Sequence, residues 1–314
     1  MKSVEDAVRE EELALNDYIK KNKVLHDMVK DTTGIIKETS ETKKEYHLRR
    51  ENERMQSYKS KPLHGHYFRT CEEKIDTESS YLWMTRGDLK IETEGFLTAA
   101  QDQALPVNAL KSIYDTNQSS LCRLCKERTE TVEHLISGCK TLAAGEYKER
   151  HDSVAKNIHW HLCEKHGMQS TEKWWDHSPQ PVTENDQVKI LWDFNVYTDR
   201  KITARRPDII VINKTEKKVQ LIDIAVPADH RVNEKEKEKI DKYQELRIEL
   251  ERLWKKKTMT IPIVIGSLGA ISKQFKNHLN RLDLDKISII DIQKSVLLGT
   301  AHILRKVLQL SGSG

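Results

Sequence analysis

The feature that most constrains this chain is the series Cys122-x2-Cys125-x8-His134-x4-Cys139. Zinc prefers soft sulfur and borderline nitrogen donors in a tetrahedron, and this series offers three thiols and one imidazole. The tight turn between Cys122 and Cys125 lets two sulfurs face one ion, and a short helix brings back His134 and Cys139. Four protein donors leave no open coordination position, so the expected Zn²⁺ is structural rather than catalytic. The other two of the five cysteines, Cys71 and Cys163, lack partners at this spacing and read as ordinary thiols. An odd count with such clustering argues against a secreted disulfide framework and for a reducing, intracellular compartment.

Charge narrows the function classes. The 314 residues hold 53 Lys+Arg against 49 Asp+Glu, a formal net charge of +4, so bulk charge alone does not make this a nucleic-acid-binding polycation. Any such binding must come from local patches. The longest apolar run, 261–271, is interrupted by Pro262, Gly266, Ser267 and Gly269, and no charged-then-apolar leader opens the sequence. Neither a membrane span nor a secretory signal is expected.

Residues 1–58 form a charged, helical segment. Its apolar positions, Val4, Val8, Leu15 and Ile19, then Val24, Leu25, Met28 and Val29, make a face too thin for a core of its own, with Gly34 as a break. Pro62 and Gly65 punctuate the start of a helical linker over 59–118, which includes an apolar-faced helix over 92–105. The Cys/His series and further helix over 140–168 occupy 119–178. Beyond the loop with Pro179 and Pro181 the apolar period changes, and 183–310 reads as an α/β unit. Its strands are expected over 190–198, 208–212, 219–226 and 259–268. One long helix over 233–257, with Ile240, Tyr243, Leu246 and Leu250 on its buried side, precedes the last strand, and helices follow near 272–281 and 291–309.

Within that unit, Asp208 to Pro227 reads as strand, polar turn, strand. A hairpin centred on Thr215 and Glu216 sets Ile210 opposite Leu221 and Ile212 opposite Val219, which leaves Asp208 opposite Asp223 at the end of an apolar stripe. Opposed like charges are destabilising, so something must neutralise them. A divalent cation such as Mg²⁺ or Mn²⁺, held by carboxylate oxygens, would do so and would also support phosphodiester hydrolysis. The alternative is that Asp208 caps its strand and Asp223 pairs with a lysine, without metal. Such chemistry also calls for a lysine near the scissile phosphate, and Ala225 stands where a nuclease pattern usually has it. Lys235, Lys239 and Lys242 form a stripe on the following helix, with Lys242 preferred over Lys239 for this role. Asp199 is an auxiliary ligand candidate. For nucleic-acid contact the candidates are Arg200, Lys201, Arg205 and Arg206 before the hairpin, Arg231 and Lys235 after it, and Arg123, Lys126 and Arg128 around the cysteines.

The Cys/His series followed by Arg206-Pro207-Asp208 and then Asp223 resembles the C-terminal part of non-LTR retrotransposon polyproteins that carry a restriction-like endonuclease. Leu63-His64-Gly65, Glu92-Thr93-Glu94-Gly95 and Asp102-Gln103-Ala104-Leu105 extend the resemblance over about 59–310. It implies an α+β multidomain chain with a helical linker, a CCHC zinc knuckle and a PD-(D/E)XK nuclease core on a mixed sheet. It further implies a metal-dependent DNA endonuclease that nicks target DNA so that the 3′ end primes reverse transcription. The implied catalytic set is Asp208, Asp223 and Lys242 or Lys239. The implied partners are DNA, element RNA and a reverse transcriptase supplied by a fuller polyprotein, in the nucleus. The chain has no Tyr/Phe-x-Asp-Asp and is not expected to copy RNA itself. The competing reading is a nucleic-acid-binding scaffold: a truncated or domesticated remnant on an inactive nuclease fold.

Overall fold

Apolar residues at period two fill both faces of the C-terminal half, and a sheet forms there that is covered on both sides. The computed structural model describes residues 4–22, 42–284 and 289–309. The sheet has five strands, β1 (Val182–Glu184), β2 (Val188–Trp192), β3 (Ile209–Asn213), β4 (Lys218–Ala225) and β5 (Lys257–Val264), arranged in that order. The first four pair antiparallel and β5 runs parallel to β4, so the sheet is mixed and the protein is α+β. Ile210 pairs with Leu221 and Ile212 with Val219, the register expected from the hairpin. The short edge strand β1 is absent from the sequence-based expectation, its three residues carrying too little alternation to register.

Alternation sorts the strands onto two cores. Ile190, Ile209, Val211, Ile222, Ile224, Ile261 and Ile263 pack against Val154, Ile158 and Leu162 of the Glu146–Lys165 helix, and against Phe275 and Leu279. On the opposite face Leu191, Ile210, Val219 and Leu221 meet Tyr243, Leu246 and Leu250. Parallel pairing of β4 with β5 requires a crossover, which is helical here. The expected single helix over 233–257 is instead two, Val232–Lys242 and Gln244–Trp254, broken at Tyr243, whose φ of −102° and ψ of 9° leave the helical region. Ile240 is accordingly 41% exposed rather than buried.

The chain divides into two compact units, Met1–Gly65 and His66–Gly314. In the first, the Val4–Lys21 and Lys43–Ser60 helices pack through Leu13 and Tyr46, and Arg50 pairs with Asp6. Val8 and Leu15 stay exposed, in keeping with the thin face of this segment. Val24, Leu25, Met28, Val29 and Gly34 lie outside the described residues.

In the second unit the Cys/His segment shares a core with the C-terminal helix, Ile289–Leu308. Cys122, Leu135, Ile136 and Cys139 belong to the same buried cluster as Leu297, Ala301 and Leu304. Arg150 is buried at this junction. Its guanidinium donates to Thr300 Oγ1 at 2.8 Å and to the Ile136 carbonyl at 2.7 Å. Gly299 makes room for it, since a Cβ there would lie 2.7 Å from Arg150 Cγ. Among the described residues, no helix is long and apolar enough to cross a membrane.

Candidate metal centre and acid cleft

Cys122, Cys125, His134 and Cys139 converge, their ligand atoms all lying within 4.8 Å of one another. The turn from Cys122 to Cys125 is closed by Lys126 N–H donating to the Cys122 carbonyl, with Lys126 at φ 59°. A single π-helical turn, His134–Gly138, returns the last two ligands. Tyr147 fixes that turn by donating its hydroxyl toward the carbonyls of His134 and Leu135 and accepting from Cys139 N–H. Cys125 Sγ lies 3.4 Å from His134 Nε2, and the sulfurs of Cys122 and Cys139 are 3.9 Å apart. Hydrogen bonds from the backbone N–H groups of Glu127 and Arg128 lower the Cys125 thiol to about 6, toward the thiolate that metals bind. Burial acts the other way on Cys122 and raises it. Three sulfurs and a nitrogen in this arrangement fit a metal such as zinc.

The second candidate site lies where β3 begins and β4 ends. The ladder ends at Ile209 and Ile222, so Asp208 and Asp223 are not paired in it as the hairpin reading expected; Asp208 lies just before β3 and its carboxylate reaches Ile224 N–H instead. Asp223 is buried on the face that also carries Leu221, and three groups from the crossover meet it. Lys239 Nζ contacts Asp223 Oδ2, Lys242 Nζ lies 3.4 Å from Oδ1, and the Tyr243 hydroxyl donates to Oδ1 at 2.5 Å. The break between the two crossover helices is what brings lysines and tyrosine to one carboxylate. Lys242 is the more exposed of the two lysines, its ammonium 4.5 Å from the Tyr243 ring centroid.

Asp208 is held differently. Its Oδ2 accepts from Ile224 N–H at 2.6 Å and lies 3.2 Å from His151 Nε2. Burial disfavours a charged His151, yet the hydrogen bond and charge of Asp208, with help from Asp152, raise it to about 9. Asp193, at φ 46°, donates its N–H to the Asp208 carbonyl and lines a cleft of about 330 Å³ with His151, Asp208, Lys148 and Arg206. Burial raises the Tyr243 hydroxyl far above its ordinary range, as do the charges of Asp223, Asp208 and Asp193. Three carboxylates thus act on one hydroxyl. Among the described residues the three carboxylates do not form a mutually close group as the cysteines do; Asp223 is met by ammonium groups and Asp208 by imidazole.

Several expected site residues have other partners. Asp199 pairs with Arg252 at 3.0 Å and has no described contact with Asp208 or Asp223, which removes the reason for making it an auxiliary ligand. Arg123 is turned inward, its guanidinium and its backbone N–H both donating to the fully buried Glu130, so it braces the knuckle rather than decorating it. Arg206 pairs with Asp193 at 2.6 Å, Arg231 with Glu234 and Lys235 with Glu238. Arg200, Lys201, Arg205, Lys126 and Arg128 are exposed. Sequence reasoning missed His151, Asp193 and Tyr243. The Tyr243 position was visible but read as core, and nothing in the local pattern marks the other two.

Compared with protein-family models and with curated proteins, the chain matches none.

Proposed function

We propose that this protein is a divalent-metal-dependent DNA endonuclease of the restriction-like, non-LTR retrotransposon type, which nicks target DNA to prime reverse transcription. The observation that carries the reading is the convergence of Lys239, Lys242 and Tyr243 on Asp223, one residue before Ile224, whose N–H donates to Asp208. Carboxylate oxygens are the donors Mg²⁺ and Mn²⁺ prefer, so Asp208 and Asp223 would hold the ion. When bound, the ion supplies Lewis acidity and an activated water. Lys242, exposed at the rim, is placed to meet a phosphate, while the more enclosed Lys239 orients Asp223. Tyr243 fixes the other oxygen of Asp223, and His151 fixes Asp208. The zinc knuckle has a structural role, and Arg200, Lys201 and Arg205 with Lys126 and Arg128 contact DNA or element RNA in the nucleus.

One observation favours the second reading, an inactive nucleic-acid-binding scaffold. The charges on both acids already have partners from the chain itself, so the fold does not need an ion to tolerate them. Incubation with supercoiled plasmid and Mg²⁺ or Mn²⁺ separates the two. An endonuclease converts the plasmid to nicked circles and loses that ability in Asp208→Ala; a scaffold binds the plasmid and leaves it supercoiled with either metal.

A further inference from the structure

Three buried side chains outside both sites converge beside the helix that carries His151. His159 and Cys163 lie one turn apart on Glu146–Lys165, so they share a face of it. His177 follows the short Trp174–Asp176 turn, which is folded back onto the same helix. Two hydrogen bonds hold that return, from Lys156 Nζ to the Trp175 carbonyl at 2.7 Å and from Trp160 Nε1 to the Thr171 carbonyl at 2.8 Å. A nitrogen of each histidine and the Cys163 sulfur all lie within 4.8 Å of one another. His159 and Cys163 are fully buried and His177 is 7% exposed.

We propose that His159, Cys163 and His177 bind a second transition-metal ion of the zinc class, separate from the ion at Cys122, Cys125, His134 and Cys139. Two imidazoles and a thiolate are donors zinc accepts, with a water completing the tetrahedron. Bond lengths of about 2.0 Å to nitrogen and 2.3 Å to sulfur put ligand nitrogens about 3.3 Å apart and nitrogen and sulfur about 3.5 Å apart. Cys163 Sγ is 3.5 Å from His159 Nδ1, already at that spacing. His159 Nδ1 and His177 Nε2 are 2.8 Å apart, so admitting the ion parts the rings by about half an ångström, within the reach of small side-chain rotations.

Hydrogen bonding alone satisfies this cluster poorly. The contact between the two rings carries one proton, and the thiol competes for the same His159 nitrogen. Metal binding gives all three donor atoms a common partner and releases the thiol proton to solvent. It also pins the 171–177 return to the helix whose first half places His151 on Asp208.

The test is the zinc content of the full chain, purified without chelator, for wild type, Cys163→Ala and His177→Gln, with circular dichroism as the folding control. Two zinc ions per chain are expected in wild type and one in each folded variant. One ion in wild type that persists in Cys163→Ala overturns the proposal. Should the variants not fold, Co²⁺ titration of the metal-free wild-type chain, followed by sulfur-to-cobalt absorption to which the carboxylates of Asp208 and Asp223 do not contribute, decides: two equivalents seen in that band support the second site and a single equivalent excludes it.

Discussion

The Cys/His cluster and the acid cleft belong to one folded unit but draw on the chain in opposite ways. Residues 122–139 supply every ligand of the first, and local turns orient all four. The second takes Asp208 and Asp223 from a hairpin, with His151 from a helix and Asp193 from the end of β2 around the former, and Lys239, Lys242 and Tyr243 from the crossover around the latter. Its carboxylates have charged partners from the chain, whereas the thiols are met by one another, by His134 and by backbone N–H groups. On the proposed reading, the stability of the Cys/His segment is expected to follow its metal and that of the acid site is not.

The largest effect expected on this comparison is at the knuckle. Cys122→Ser or Cys139→Ser should release the zinc and melt the segment, because metal binding in such sites is worth on the order of 10 kcal/mol of folding free energy. Thermal melts with and without chelator check this, and an unchanged midpoint counts against it. Next is Arg123→Ala, which takes the guanidinium from a buried Glu130 still held by the backbone N–H groups of residue 123 and Asn108, at a cost of about 3 kcal/mol. Denaturant unfolding should show that loss, with Arg128→Ala as an exposed control close to wild type.

A pH effect away from both sites calibrates the rest of the unit. Burial, with the charge of Arg281, holds His278 down at about 4, against 6.5 for an ordinary histidine, although Glu236 lies 3.8 Å away. The neutral form is favoured in the fold, so its stability is intact above pH 6.5 and falls as pH drops toward 4, by up to about 3 kcal/mol. His278→Gln should flatten the midpoint-against-pH curve across that window; a curve as steep as wild type refutes the assignment. The smallest effect is at the rim. Replacing Arg200, Lys201 and Arg205 by Ala should lower the salt dependence of DNA affinity by about 0.9 in log–log slope for each phosphate the variant no longer neutralises. An identical slope would place the DNA elsewhere.

The same comparison explains what was legible in the sequence. The cysteine series is a short-range signal, and the register of β3 with β4 followed from a polar turn between two apolar runs. The lysine stripe was readable because helical spacing sets it. Tyr243 was hidden among Leu246 and Leu250, since a buried tyrosine whose hydroxyl meets a carboxylate has the same periodicity as one that only fills space. The helix break that aims it arises where the chain turns over the sheet and has no glycine or proline to announce it. His151 reaches Asp208 across 57 positions of sequence, a contact that only the packing of helix on sheet creates. Arg123 looked like a solvated cation because its partner, Glu130, lay in an otherwise polar stretch.

The central claim is that the hairpin acids form a working metal-dependent nuclease site, and the most direct test is plasmid nicking by wild type and Asp223→Asn over a range of Mn²⁺ concentrations, with DNA affinity measured in parallel. Asp223→Asn should keep its affinity and lose nicking by at least about a hundredfold, the scale of removing one well-placed charge from a reacting phosphate. Wild-type protein that binds the plasmid and never nicks it, or a variant that nicks at the wild-type rate, would contradict the account.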